Sequence, residues 1–280
     1  KEGLDKVVLK KLGLIADKTP DLDSWNEFLR KFKNPKSFIE IGLVGKYVEL
    51  QDAYKSIIEA IGHAGAQNEV KVNIHFIHSE ELLPENVPGL LKDLQGIIVA
   101  PGFGDRGTEG KIEAIRFARE NKIPFFGICL GMQMAVIEFA RNILQLKNAN
   151  STEMNPRTPH PVIDLMEDQK KVTEKGGTMR LGAWDCKLDK NSKAFEAYGT
   201  DFISERHRHR FEYNNAYFER FTLAGLKATG VNPNTGLVEI VEIPEHPWFL
   251  GVQYHPEYKS TVLKPHPLFV AFIKAAVNYK

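Results

Sequence analysis

Only two of the 280 residues are cysteine, Cys129 and Cys186, which excludes a disulfide-stapled scaffold and fits the reducing environment of the cytoplasm. Net charge is as scant. The 37 Lys and Arg against 36 Asp and Glu leave a balance of +1, so no electrostatic footprint of a nucleic-acid or anionic-membrane partner is present. No apolar run approaches the roughly 20 residues of a bilayer span, and Lys1-Glu2-Gly3-Leu4-Asp5 has no signal-peptide pattern. Repeats, low-complexity tracts and metal-spaced ligand clusters are missing too; His207 and His209 stand in Arg206-His207-Arg208-His209-Arg210, whose charge repels a cation. What remains is 42% hydrophobic residues, ample for the core of a soluble globular protein of one or two domains. The first residue is not Met, and the expectation is a piece of a longer polypeptide.

Residues 1–37 are charged, are interrupted by Pro20 and Pro35, and read as a tail and linker ahead of a domain spanning 38–280. Within that linker, Asp23 or Ser24 is placed to cap a short helix whose apolar face is Trp25, Phe28, Leu29 and Phe32. From Phe38 onward, strand and helix patterns alternate. Strands are expected at 38–45, 70–77, 96–100 and 125–128, with helices through Ile57 and Ile61, through Ile112 and Ile115, and through Met134 and Ile137. Such repeats define an α/β fold with a mostly parallel central sheet flanked by helices, and they put chemistry at the strands' carboxyl ends. The second half is strand-rich, with candidates at 178–181, 223–229, 237–243 and 249–254, then a closing helix over 268–277.

Phe125-Phe126-Gly127-Ile128-Cys129-Leu130-Gly131 is the stretch around which this order is arranged. A cysteine with glycine two residues before and two after, between an apolar strand and a helix, is the thiol form of a nucleophile elbow. At a helix amino end, the dipole and the unpaired N–H groups favour the attacking thiolate. A small buried cysteine is the plainer alternative. A nucleophile needs a base and the base needs an orienting group. His255 and Glu257 supply both, because residues two apart in an extended segment face the same side. Read alone, they are a surface histidine in a turn before a proline.

The oxyanion formed on attack needs preorganised donors. The loop Ala100-Pro101-Gly102-Phe103-Gly104-Asp105-Arg106-Gly107 leaves a neighbouring strand end and offers the Gly102 N–H; the Leu130 N–H, just past the nucleophile, is the second candidate. A phosphate cradle is the competing use of Gly102, Gly104 and Gly107. It lacks a P-loop lysine–serine pair and follows the third strand rather than the first. A nucleic-acid patch at Arg206–Arg210 conflicts with the balanced charge and the lack of interleaved aromatics.

Together these residues resemble the class I, triad-type glutamine amidotransferases, and most of all the branch that supplies ammonia for the amination of UTP to CTP. The resemblance is carried by residues 42–47, 102–111, 127–133, 150–153, 176–182, 205–210 and 253–257, and it covers essentially all of 38–280. It implies a flavodoxin-like fold and hydrolysis of L-glutamine to glutamate and ammonia through a Cys129 thioester. Glutamine would be held by Arg210 on its α-carboxylate and Glu153 on its α-ammonium, with Gly102, Leu130, Gly131, Met132 and the Gln133 side chain completing the site. The resemblance also implies a synthetase domain of the same polypeptide that uses ATP and magnesium, with residues 1–37 as its tail, and a homotetrameric full enzyme. No cofactor is expected in 38–280 itself. GTP is the implied activator, at a lid containing Phe103, Arg106, Gly107 and Glu109. Pro101 departs from the pattern, which has proline and then two glycines before Phe-Gly; lacking an N–H it cannot donate, so the oxyanion role falls to Gly102. Two alternatives stay open: the glutaminase part of another amidotransferase such as GMP synthetase, and a catalytically idle regulatory module.

Overall fold

The computed structural model describes residues 3–15, 20–165 and 179–279. Helices α1 (Leu4–Lys11) and α2 (Asp23–Lys33) precede β1 (Ser37–Gly45), α3 (Lys55–Gln67), β2 (Val70–His78), α4 (Val87–Leu91), β3 (Gly96–Val99), α5 (Thr108–Glu120), β4 (Phe125–Ile128) and α6 (Leu130–Asn142). Then come β5 (Asn150–Ser151), β6 (Pro161–Asp164), β7 (Arg180–Leu188), α7 (Lys193–Tyr198), β8 (Phe202–His209), β9 (Glu212–Tyr213), α8 (Phe218–Ala224), β10 (Lys227–Val231), β11 (Val238–Glu242), β12 (Phe249–Val252) and α9 (Pro267–Asn278).

The main sheet has nine strands in the order β2-β1-β3-β4-β12-β11-β10-β7-β8. The first five run parallel, and from β12 outward the pairing turns antiparallel. This is the expected α/β fold, and the order 2-1-3-4 followed by one more parallel strand is the flavodoxin-like winding. Alternation along the strands sorts the core into two layers. Ile97, Val99 and Phe125 pack with α5 and α6 residues such as Ile115 and Met132, while Ile98 and Phe126 pack with Ile57 and Ile61 of α3 and with Phe269 and Phe272 of α9. Each such buried side chain contributes about 1.5–3 kcal/mol, which is what fixes the register on which the site depends.

Several expectations are corrected. Helix α2 begins at Asp23, and neither Asp23 nor Ser24 caps it; the Asp21 carboxylate accepts from the Asp23 N–H instead, at 3.0 Å. The Phe28 ring lies 6.0 Å from His63 of α3, so α2 rests on the domain, although neither α1 nor α2 fully buries a residue. Residues 223–229, read as a strand, hold the end of α8, a Gly225 cap with φ 105° and only then β10, because glycine stops the helix. Strand β7 begins at Arg180 and runs on to Leu188; Gly176, Gly177 and Thr178 of the anticipated motif lie outside the described residues. Strand β8, read only as a basic run, is a regular strand with Ile203, Glu205, His207 and His209 buried and Arg206 and Arg208 exposed.

Candidate active site

Cys129 occupies the turn between β4 and α6 with φ 53° and ψ −103°, a backbone conformation that a non-glycine residue rarely adopts. Both flanking glycines are needed. A Cβ on Gly127 would stand 2.8 Å from the Gly131 backbone, and one on Gly131 would collide with the Val99 carbonyl of β3. The strain is held by the sheet: the Cys129 N–H donates to Val252 O at 2.7 Å, and α6 buries every residue from Leu130 to Ala140. Being first in the helix, the N–H groups of Leu130, Gly131 and Met132 have no acceptor within it, and Cys129 caps the positive end of the helix dipole.

Strand β12 delivers the second component. The Gln253 side-chain amide points at Cys129 Sγ at 3.7 Å, and two residues on the buried His255 donates from Nδ1 to Glu257 Oε1 at 2.7 Å. That bond fixes the tautomer when the ring is neutral, leaving Nε2 to exchange protons. Nε2 is buried without a well-aligned partner, beside the Cys129 sulfur, and Tyr258 stacks on the ring at 5.2 Å. Burial on its own would lower the pKa of His255, but the neighbouring Cys129 sulfur and the Glu257 carboxylate outweigh it and raise the value to about 11.

A cavity of about 230 Å³ opens over the sulfur, lined by Gly102, Phe103, Cys129, Gln133, Glu153, Met179, Arg208, His209, Arg210 and Phe211. Of the residues named from sequence, Gly102, Phe103, Gln133, Glu153 and Arg210 therefore share one wall system with the cysteine. Leu130, Gly131 and Met132 lie beneath it in the buried first turn of α6. The Gln133 amide is already engaged, donating to Phe211 O at 2.8 Å and Gln253 Oε1 at 3.1 Å. Glu153 Oε1 accepts from the Gly104 N–H at 2.8 Å, tying the glycine loop to the cavity. Met179, His209, Phe211 and the contact of Gln253 with sulfur were not foreseen, although Met179, His209 and Gln253 all lay in stretches carrying the resemblance and Phe211 directly follows one.

The segment read as a lid is cross-braced. Arg106 pairs with Glu80 at 2.9 Å and lies 5.6 Å over the Tyr47 ring, Glu109 pairs with Arg141 at 2.8 Å, and Gly107 (φ 72°) abuts Ser79. Phe103 straddles two environments, its side chain half exposed and its carbonyl accepting from the Lys46 ammonium. A larger groove of about 840 Å³ lies between α7 and α9, but no cysteine, serine or histidine lines it.

A strained cysteine at a helix start, a carboxylate-oriented histidine beside it and a small polar cavity above it form an arrangement suited to thiol-dependent acyl transfer. The chain belongs to the class-I glutamine amidotransferase family, whose model matches residues 49–275. Within that family it is similar to the CTP synthases: 67% identical over 276 residues to that of Christiangramia forsetii, covering 99% of this chain and 50% of that protein. It is 56% identical over 280 residues to that of Ruminiclostridium cellulolyticum, covering 52% of the latter. The chain thus spans about half the length of these relatives. Its fold matches the Trypanosoma brucei CTPS glutaminase domain, solved with bound acivicin, at TM-score 0.80 and 39% identity over 86% of this chain and 95% of that one. A putative GMP synthase protein from Thermoplasma acidophilum, at TM-score 0.54 and 14% identity over 86% of this chain and 94% of that one, shares the fold alone.

Proposed function

We propose that this domain hydrolyses L-glutamine to glutamate and ammonia through a thioester on Cys129. The observation that carries the reading is the meeting, at one cavity, of the strained Cys129 with the His255–Glu257 pair. The thiolate attacks the side-chain amide carbon, and the oxyanion is met by the Gly102 and Leu130 N–H groups. His255 passes its proton to the departing ammonia, then takes one from the water that cleaves the thioester. Arg210 and Glu153 clamp the two charged ends of the amino acid, so that only free glutamine presents its amide to the sulfur.

The ammonia is used by a synthetase portion of the same polypeptide, homologous to the other half of the CTP synthases, to aminate UTP to CTP with ATP and magnesium. The full enzyme is a cytoplasmic homotetramer in this reading. GTP activates by favouring a closed position of the 103–109 loop, with Phe103 against guanine and Arg106 turned toward the acyl site. Glutamate release by the 280-residue chain, by its Cys129→Ala variant and by the full-length enzyme, each with and without GTP, tests both parts. Cys129→Ala is expected to be inert yet folded by circular dichroism, and the chain alone is expected to be slow and hardly stimulated. Hydrolysis surviving in Cys129→Ala overturns the mechanism; strong GTP stimulation of the isolated chain overturns the idea that the other portion completes the site.

A further inference from the structure

Two lysines grip the segment that carries Gly102. Lys111, the fourth residue of α5, is fully buried, and its ammonium donates to the Ala100 carbonyl at 3.1 Å. Lys46, at the end of β1 and only 6% exposed, donates to the Phe103 carbonyl. Gly102 lies between these two anchor points. A Cβ there would stand 3.4 Å from Lys46 Cε, 3.4 Å from Leu130 Cδ2 and 3.8 Å from Lys111 Nζ.

A buried ammonium with one carbonyl acceptor is costly to the fold, and an unbranched apolar side chain would fill the same space without that cost. Its presence in the interior calls for a use, and its surroundings supply one. The charged or titratable groups acting on Lys111 are Lys46 and Cys129, the first opposing its charge and the second favouring it.

We infer that Lys111 is a positioning residue of the glutaminase reaction, holding Ala100 while Lys46 holds Phe103, so that Gly102 is fixed between them with a buried positive charge close behind it. This rests on the proposed oxyanion role of Gly102. Burial, reinforced by Lys46, pushes the Lys111 ammonium down to about 7, so the brace titrates in the neutral range. As pH rises through that value the charge is lost and turnover weakens, without loss of the substrate clamp at Arg210 and Glu153.

The test compares glutamine hydrolysis by the wild-type chain, Lys111→Met and Lys111→Arg from pH 6 to 9, at enzyme concentrations high enough to read slow turnover. Lys111→Met, nearly isosteric and uncharged, is expected to lower kcat about ten- to a hundred-fold with KM within about two-fold, and to lose the decline above pH 7. Lys111→Arg keeps the charge at every pH, so it is expected to recover part of the turnover with no decline in that window. Alkylation of Cys129 by iodoacetamide, which needs the thiol but no oxyanion donor, checks that the site remains assembled. Should Lys111→Met match wild type in both kcat and pH profile, the role of Lys111 is overturned. Cys129→Ala, run alongside, keeps the two readings apart: activity surviving there overturns the thioester itself, whereas activity lost there and unchanged in Lys111→Met removes only the brace.

Discussion

In the parallel half of the sheet, β1, β3 and β4 bury Ile41, Leu43, Ile98, Phe125 and Phe126, whereas the antiparallel half, β7, β8 and β11, buries Arg180, Glu205, His207, His209 and Glu239. Arg180 pairs with Glu239 at 2.5 Å, His207 donates to the same carboxylate at 2.8 Å, and His209 meets Glu212 at 2.7 Å. Burial on its own would raise the pKa of Glu239, but His207 and Arg180 overcome it and hold the carboxyl below its ordinary value. The strands of one half thus form an apolar frame beneath the reactive sulfur, and the strands of the other carry paired charges. They meet at β12, where the Gln253 N–H donates to the Glu239 carbonyl at 2.9 Å and the Gln253 side chain touches Cys129. The difference teaches that the same sheet separates two tasks: the strained elbow is set on apolar strands, and rigidity of the opposite wall rests on buried ion pairs.

The sharpest separation comes from Cys129→Ala. Glutamate release is expected to fall by at least about 10⁴-fold while the urea midpoint barely moves, since only the nucleophile is lost. Glu239→Gln is expected to do the reverse. It leaves the buried Arg180 with only the more distant Glu212, at 3.5 Å, as counter-charge and weakens the acceptor of His207, which costs about 3–5 kcal/mol of unfolding free energy in urea titration. If Glu239→Gln instead stays as stable as wild type and is inactive, the assignment of chemistry to one half and support to the other breaks down.

His246 lies at the seam, its Nδ1 accepting from the Trp248 N–H and its Nε2 donating to Ala118 O of α5 at 3.2 Å. Burial lowers its pKa to about 4. The native ring therefore stays neutral while the unfolded one takes up a proton near its ordinary value. The stability it contributes is fully present above about pH 6.5 and is lost as pH falls through about 4. Between those two pH values the wild-type chain should lose up to about 3 kcal/mol through this group. A His246→Leu chain that loses as much as wild type over that window would assign the acid sensitivity elsewhere.

Arg210→Lys is the mildest change. The charge stays but the planar fork is gone, so KM for glutamine should rise about ten-fold, or about 1.4 kcal/mol, with kcat nearly kept. An unchanged KM would move Arg210 from substrate to structural wall and leave glutamine selectivity resting on Glu153.

How much of this was legible follows from the range over which each signal acts. The strand–helix alternation from Phe38 to Asn142, the glycines around Cys129 and the two-residue spacing of His255 and Glu257 are local patterns, so the sequence alone determined the α/β class, the elbow and the orientation of the base. The run Glu205–Arg210 misled for the same reason. Its charge, counted along the chain, reads only as one that repels a cation, whereas pairing with Glu239 and Glu212 makes His207 and His209 buried partners. Likewise nothing near Lys111 in sequence announces that its ammonium ends on Ala100 O, nor anything near Glu153 that it holds Gly104. Local sequence sets backbone conformation, because φ, ψ and side-chain alternation are decided by neighbours. Which buried charge meets which is decided by sheet order and by contacts between residues tens of positions apart, and these exist only once the chain has folded.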